Sequence, residues 1–170
     1  GTHVLQASKN MGSQARFLAA LVTGGDVLFL DNDIILRERT IEQMETWSRS
    51  LPHSIISLHG RDVEDLYCHS RQVRSSITLN TQRVSVSLGR VEYVPSDVLD
   101  KLLWTFEVSD DSMMDDLWFS AKARANGISV WVVPTDGFIE QPVLKGVGYC
   151  EQPNHYARRE SEHKRLFHVT

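Results

Sequence analysis

The chain has 170 residues, 41% of them apolar and 24% charged, which is enough for one domain with a sizeable core and is the balance of a globular protein rather than a disordered one. Its 18 Lys and Arg against 22 Asp and Glu give a net charge of −4, which argues against nucleic acid as the main partner, because such proteins carry a basic footprint. No apolar run reaches the roughly 18 residues that a bilayer span requires, since the best stretch, Phe17 to Leu36, is broken by Gly24-Gly25-Asp26 and by Asp31-Asn32-Asp33.

Helix and strand patterns alternate along the chain. Ser13 to Thr23 reads as a helix with Phe17, Leu18, Leu21 and Val22 on its apolar side, stopped by Gly24-Gly25. Val27 to Leu30 is a continuous apolar run of strand length, the pattern of a strand buried on both faces. Thr40-Ile41-Glu42-Gln43 has the spacing of a capping box and opens a helix with Ile41, Met44, Trp47 and Leu51 inward, ended by Pro52. Ser54 to Leu58 is a short strand, Arg61 to Gln82 is polar and reads as loop, and Arg83 to Val94 reads as a strand or hairpin. Ser96 caps a helix through Leu103, Asp115 to Asn126 is a helix ended by Gly127, and Ile128 to Val133 is a strand ended by Pro134. A glycine-containing loop, Thr135 to Gln152, and a charged helix from about Asn154 to Leu166 complete the order. Strands alternating with helices predict a single α/β domain built on a mostly parallel sheet flanked by helices. Two cysteines, Cys68 and Cys150, are too few for a disulfide framework and too far apart for a metal knuckle, so reduced thiols and a cytoplasmic setting are expected. Gly1 is followed by a polar segment without a signal-peptide pattern, and the opening reads as the middle of a larger protein.

Two acidic constellations carry the chemistry. Asp31-Asn32-Asp33 directly follows the apolar run Val27–Leu30, and the carboxyl ends of strands in open α/β sheets are where ligands bind. Two carboxylates at positions i and i+2 repel unless a cation lies between them, and Mg²⁺ or Mn²⁺ would take their oxygens while leaving positions for phosphate. The plainer alternative is a polar turn in which an Asp caps the next helix. The second constellation runs from Asp110-Asp111 to Asp115-Asp116. Here the plain reading is a helix N-terminus, where the macrodipole favours acids.

Asn10-x-Gly12, Arg16, Ala19-Ala20 and the run Gly25-Asp26-Val27-Leu28-Phe29-Leu30-Asp31-Asn32-Asp33 resemble the nucleotide-sugar half of GT-A fold glycosyltransferases, a Rossmann-related family. Asp115-Asp116-Leu117-Trp118-Phe119-Ser120, followed by Ala121 and Asn126-Gly127-Ile128, is similar to the acidic motif of their acceptor half. The resemblance implies a sugar moved from a nucleoside-diphosphate sugar to a hydroxyl of a carbohydrate or glycan acceptor, with Mn²⁺ or Mg²⁺ on Asp31 and Asp33. It implies Asn32 near the ribose, Asn10 and Arg16 near the donor, and about residues 1–95 and 96–170 as donor and acceptor halves. Asp115 then holds the position of the general base of an inverting reaction, with Asp116, Asp110 and Asp111 behind it. Many members bring a late His to the metal, for which His155 and His168 are candidates. Arg16 as a solvated helix residue, Trp104 and Trp118 as core rather than sugar platforms, and the histidines as solvated side chains remain open alternatives. Only 30 residues precede Asp31, so the family's N-terminal base-binding strands are expected to be missing. Two rival functions share parts of the pattern. A Mg²⁺-dependent phosphatase of the haloacid dehalogenase type also places Asp-x-Asp after an apolar strand, but Ile35 stands where that pattern has Thr or Val. A non-catalytic sugar- or nucleotide-binding domain is the other.

Overall fold

A computed structural model describes residues 15–17, 20, 24–63, 67–103, 114–140 and 154–167. Residues 15–17 and 20 are helical. The strands that follow are β1 (Val27–Leu30), β2 (Ile34–Leu36), β3 (Ser54–Ser57), β4 (His59–Asp62), β5 (Arg71–Arg74), β6 (Gln82–Val84), β7 (Val86–Ser87), β8 (Val91–Val94), β9 (Ser129–Val132) and β10 (Phe138–Glu140). The helices are α1 (Thr40–Ser50), α2 (Ser96–Leu103), α3 (Asp115–Ala125) and α4 (His155–Phe167).

The mostly parallel, Rossmann-related sheet expected of a GT-A-like chain is not what these strands build. Five of them form one sheet in the order β1-β8-β3-β9-β6, with a three-stranded sheet β5-β4-β7 and a ribbon β10-β2 beside it. Among the described residues, β3 with β9 is the one parallel pairing, and the others are antiparallel. Neighbours in the five-stranded sheet are far apart in sequence: β8 lies antiparallel between β1 and β3, and β6 lies antiparallel on β9, so the alternation of helices and strands along the chain does not carry strand direction. The polar stretch read as loop from Arg61 to Gln82 holds short strands of its own. In β5 only Val73 is buried, because the strand lies at the edge of its small sheet. Without a repeating apolar face, that strand looks like loop in sequence.

The apolar run of β1 also misled. β1 is an edge strand with only Phe29 buried and Leu30 44% exposed. Composition records that the run is apolar, not whether a neighbour lies on both sides.

Successive residues of the central strands feed opposite faces of the five-stranded sheet. Phe29, Ile55, Val94, Val130 and Val132 pack with Phe17, Leu102, Trp118 and Phe119 on one side. Ile56, Tyr93 and Val133 pack with Met44 of α1 on the other. Phe17 stacks on Phe119 at 4.8 Å between ring centroids and meets Phe29 edge-on at 5.2 Å. These rings tie the helical residues 15–17 to α3 and β1. Trp118 is 6% exposed and belongs to this core, which favours the core alternative for it. A third cluster, Tyr67, Val86, Met114 and Leu117, seats α4 against the start of α3.

α1 forms where the capping pattern predicted it, by a different device. Arg39 occupies the cap position without a side-chain bond, and the Thr40 hydroxyl donates instead to the Gly137 carbonyl at 2.7 Å. Trp47 donates its indole N–H to the Pro134 carbonyl at 2.9 Å. Ile41, expected inward, is 44% exposed. Among the described residues no helix is long and apolar enough to cross a membrane.

Candidate functional site

The register places the carboxyl ends of β1, β3 and β9 and the start of β8 along one sheet edge, since Leu30 faces Val91 and Ser57 faces both Glu92 and Val132. Asp31 continues β1 by donating its backbone N–H to the Arg90 carbonyl at 3.0 Å. The Ile34 N–H then closes a turn on the Asp31 carbonyl at 3.2 Å. That turn leads into β2, so neither Asp caps a helix. Asn32 lies exposed within it, and Asp33 is half-buried.

Two arginines hold this edge. Arg90 reaches Asp33 at 3.2 Å and Glu140 of β10 at 2.8 Å, and its Nε lies 3.9 Å from Asp31. Arg16 spans the two halves of the sequence. One of its nitrogens donates to Asp31 at 3.3 Å and to the Gly89 carbonyl at 2.7 Å, and the other donates to Asp115 at 2.6 Å. Gly89 has φ +66, and a Cβ there would come within 3.4 Å of the Asp116 side chain. A glycine at this position lets the backbone approach the acidic cluster in a conformation that L side chains rarely adopt.

Asp115 and Asp116 open α3, as the plain reading of a helix N-terminus expected, and are 6% and 8% exposed. Their partners separate them. Asp115 turns to Arg16. Asp116 accepts from Arg159 of α4 at 2.5 Å with one oxygen and from the Leu117 N–H at 2.9 Å with the other. One oxygen of Asp116 therefore ties α4 to α3, and the other is engaged by the first turn of its own helix.

Beneath the cluster lies Glu92, which is 2% exposed in the middle of β8, with Oε1 lacking a hydrogen-bond partner. Burial pushes its carboxyl up to about 7, against the pull of the Ser87 hydroxyl and Arg16 and with the push of Asp115 and Asp116. Ser87 is also bonded to Ser57 between hydroxyls at 2.9 Å and through its N–H to the Ser120 hydroxyl at 3.0 Å. Burial likewise raises Asp31 to about 6, although Arg16 and Arg90 pull it down. The pKa of Arg16 is raised by the opposite balance: burial disfavours its charge, but Asp115, Glu92 and Asp31 together outweigh it.

The structure thus joins Arg16, Asp31, Asp33 and Asp115 into one site and assigns Asp116 to a buried ion pair. His155 is partly exposed at the start of α4. Burial lowers its pKa, and the charges acting on it are Arg159, Asp116, Arg158 and Arg61, not the Asp31–Asp33 pair. Asn10, Trp104, Asp110, Asp111 and His168 lie outside the described residues. Sequence reading missed Arg90, Glu92, Glu140 and Arg159. Glu92 alone left a signal, as an acid inside the strand pattern Val91-Glu92-Tyr93-Val94.

Among the described residues no group of three or more His, Cys, Asp or Glu side chains is arranged to hold a metal ion. Asp31 and Asp33 nevertheless converge on the single Arg90 guanidinium. Two carboxylates sharing one cation fit a hard divalent ion of the kind that takes one or two protein carboxylates and completes its shell with phosphate and water. No protein-family model matches the chain, and no curated protein matches it.

Proposed function

We propose that this chain is the acid-bearing core of a metal-dependent glycosyltransferase that moves a sugar from a nucleoside-diphosphate sugar to an acceptor hydroxyl with inversion. The supporting observation is the Arg16 bridge, which sets Asp31 and Asp115 within the span of one guanidinium. A single displacement needs negative charge at the donor's diphosphate side to hold a cation and a carboxylate close by for the acceptor. The motifs at Asp31-Asn32-Asp33 and Asp115-Asp116 supply both, and the reading rests on this chemistry rather than on sheet topology.

Asp31 and Asp33 would hold Mn²⁺ or Mg²⁺, which neutralises charge growing on the departing diphosphate. Arg90 and Arg16 offset the same carboxylates in the metal-free protein. Asp115 takes the acceptor's proton, while Arg16 orients its carboxylate. Asp116 has both oxygens engaged and serves as a strut. A cytoplasmic setting belongs to the same proposal, on the strength of two cysteines too few for a disulfide framework.

The test is a panel of sugar nucleotides with Mn²⁺, scored for release of the nucleoside diphosphate in the wild type and in Asp33→Ala. Turnover of one donor that disappears in the variant is the expected result. Hydrolysis of a simple phosphomonoester with no donor turnover would replace this reading with the phosphatase.

A further inference from the structure

The face of the β5-β4-β7 sheet that carries His59 and Arg61 holds positive charge that no acid among the described residues pairs with. His59 and Arg61 are two apart on β4 and therefore share a face. Arg74 of β5 is the direct cross-strand partner of His59 and a diagonal neighbour of Arg61. His59 is 3% exposed, and neither of its ring nitrogens has a hydrogen-bond partner. Arg61 is 8% exposed. Its hydrogen bonds go to the Ser70 hydroxyl at 2.9 Å and the Ser70 carbonyl at 3.4 Å, its guanidinium lies over the Tyr67 ring at 5.1 Å, and its Nε has no partner. Arg74 donates only to the Gln72 amide oxygen, at 3.4 Å. Among the described residues no carboxylate forms a salt bridge with Arg61 or Arg74, and Asp62, the acid on β4 itself, is paired with Arg71 at 3.3 Å.

This arrangement is costly unless something completes it. A buried guanidinium without a counter-ion and a buried imidazole with both nitrogens unbonded each forfeit interactions that water would supply. A water molecule would satisfy the imidazole but leave the charge on Arg61 unbalanced. An oxyanion satisfies both, accepting from the imidazole N–H and from the guanidinium forks in charge-assisted bonds. We propose that the His59–Arg61–Arg74 face is a binding site for an oxyanion, a phosphate or carboxylate group of a ligand. The site adjoins the acidic edge through Arg90 but shares no residue with the metal-binding pair, and it does not depend on glycosyl transfer being the reaction. The electrostatics agree with the geometry. Burial first, and then Arg74, Arg90 and Arg61, hold the His59 imidazole down at about 4, so an anion entering there meets positive potential.

Inorganic phosphate, titrated without metal or nucleotide, tests the proposal by calorimetry and by carbon–proton spectra of the histidine rings, with the His59 resonance assigned from His59→Gln. The expected result is a phosphate-dependent movement of the His59 ring signals and an affinity that falls about tenfold or more in Arg74→Gln and in His59→Gln. Arg74 is exposed, so its variant keeps the fold. Arg71→Gln removes the same charge from the other face of β5 and should leave binding unchanged. Absence of His59 movement, or equal weakening by Arg71→Gln and Arg74→Gln, would overturn the site in favour of diffuse attraction. Glucuronate in place of phosphate distinguishes a carboxylate ligand from a phosphate. Displacement of phosphate by a nucleoside diphosphate with Mn²⁺ would assign the site to the donor's own phosphates, and simultaneous binding would assign it to a charged group on the acceptor.

Discussion

Asp31 and Asp115, one ending a strand near the start of the chain and the other opening a helix near its last third, are bound by the same guanidinium, that of Arg16. The contact makes Arg16 the electrostatic keystone of the edge. Replacing it with Gln leaves two carboxylates facing each other and Glu92 beneath them. Because the side chains of Arg16 and Asp31 are 23% and 34% exposed, the cost should be below that of a fully buried pair, roughly 2–3 kcal/mol in urea unfolding. In the proposed reading the cation and the guanidinium compete for Asp31. Mn²⁺ should therefore raise the unfolding midpoint of Arg16→Gln more than that of the wild type. Equal shifts would mean that Arg16 does not occupy the cation's place.

The pair Asp116–Arg159 should behave as a strut. Both side chains are more than nine-tenths buried, so Asp116→Asn leaves a buried guanidinium without its partner and should cost about 3–5 kcal/mol. Replacing both together, Asp116→Leu with Arg159→Met, should recover much of that loss because no charge is left stranded. Urea midpoints for the two singles and the double decide the matter. A double variant no more stable than the singles would show that the pair contributes more than neutralisation.

Glu92 and His59 give stability opposite dependences on pH. Glu92 has its carboxyl raised from 4.5 to about 7 by burial, so the folded state holds the proton more tightly than the unfolded chain. Its contribution is complete below pH 4.5 and disappears as the pH rises through 7, a loss of roughly 3 kcal/mol. His59 has its imidazole lowered from 6.5 to about 4, so its neutral form favours folding and stability increases between pH 4 and 6.5. Asp31, raised from 3.8 to about 6, works with Glu92 over the lower part of the range. Between pH 6.5 and 7.5 Glu92 gives the largest change of the three, with the last of the His59 rise opposing it. The decline in unfolding free energy between pH 6.5 and 7.5 should be present in the wild type and absent in Glu92→Gln, as read from urea midpoints across pH. A decline that persists in the variant would assign it to another group.

The sequence carried the positions of the acids more faithfully than the architecture around them. Asp31 and Asp33 stand where a strand ends, and Asp115 and Asp116 where a helix begins, because apolar runs and helix-start signals are local properties of the chain. Strand direction is not local. β1 and β8 pair across more than sixty residues, and no feature of Val27–Leu30 records that its neighbour runs the opposite way. The division of labour between Asp115 and Asp116 was equally hidden, since it depends on Arg16 lying on one side of α3 and Arg159 on the other. Arg61 falls in the polar stretch read as loop and His59 just before it, and their burial follows only from the pairing of β4 with β5 and β7.

The proposed roles of Asp33 and Asp115 separate cleanly when the two are replaced. Asp33 shares the Arg90 guanidinium with Asp31, and in the proposed reading the pair serves the cation and the donor's phosphates. Asp33→Ala should weaken donor binding and slow the chemistry together, because the same cation binds the diphosphate and stabilises it as it leaves. Asp115 is hydrogen-bonded to Arg16, away from the Arg90 side of the edge. Asp115→Asn keeps the shape of the side chain but cannot take a proton at neutral pH. It should leave the donor dissociation constant nearly unchanged while turnover falls by roughly 10²–10⁴-fold, the usual effect of losing a positioned general base. Because Asp115→Asn also weakens the ion pair to Arg16, folded protein must be confirmed at the assay temperature before the rates are compared. Donor affinity by calorimetry and turnover by nucleotide release, measured on both variants, read the two roles independently. If Asp115→Asn loses donor affinity as severely as Asp33→Ala, both acids serve the cation, and the proton must go to another group.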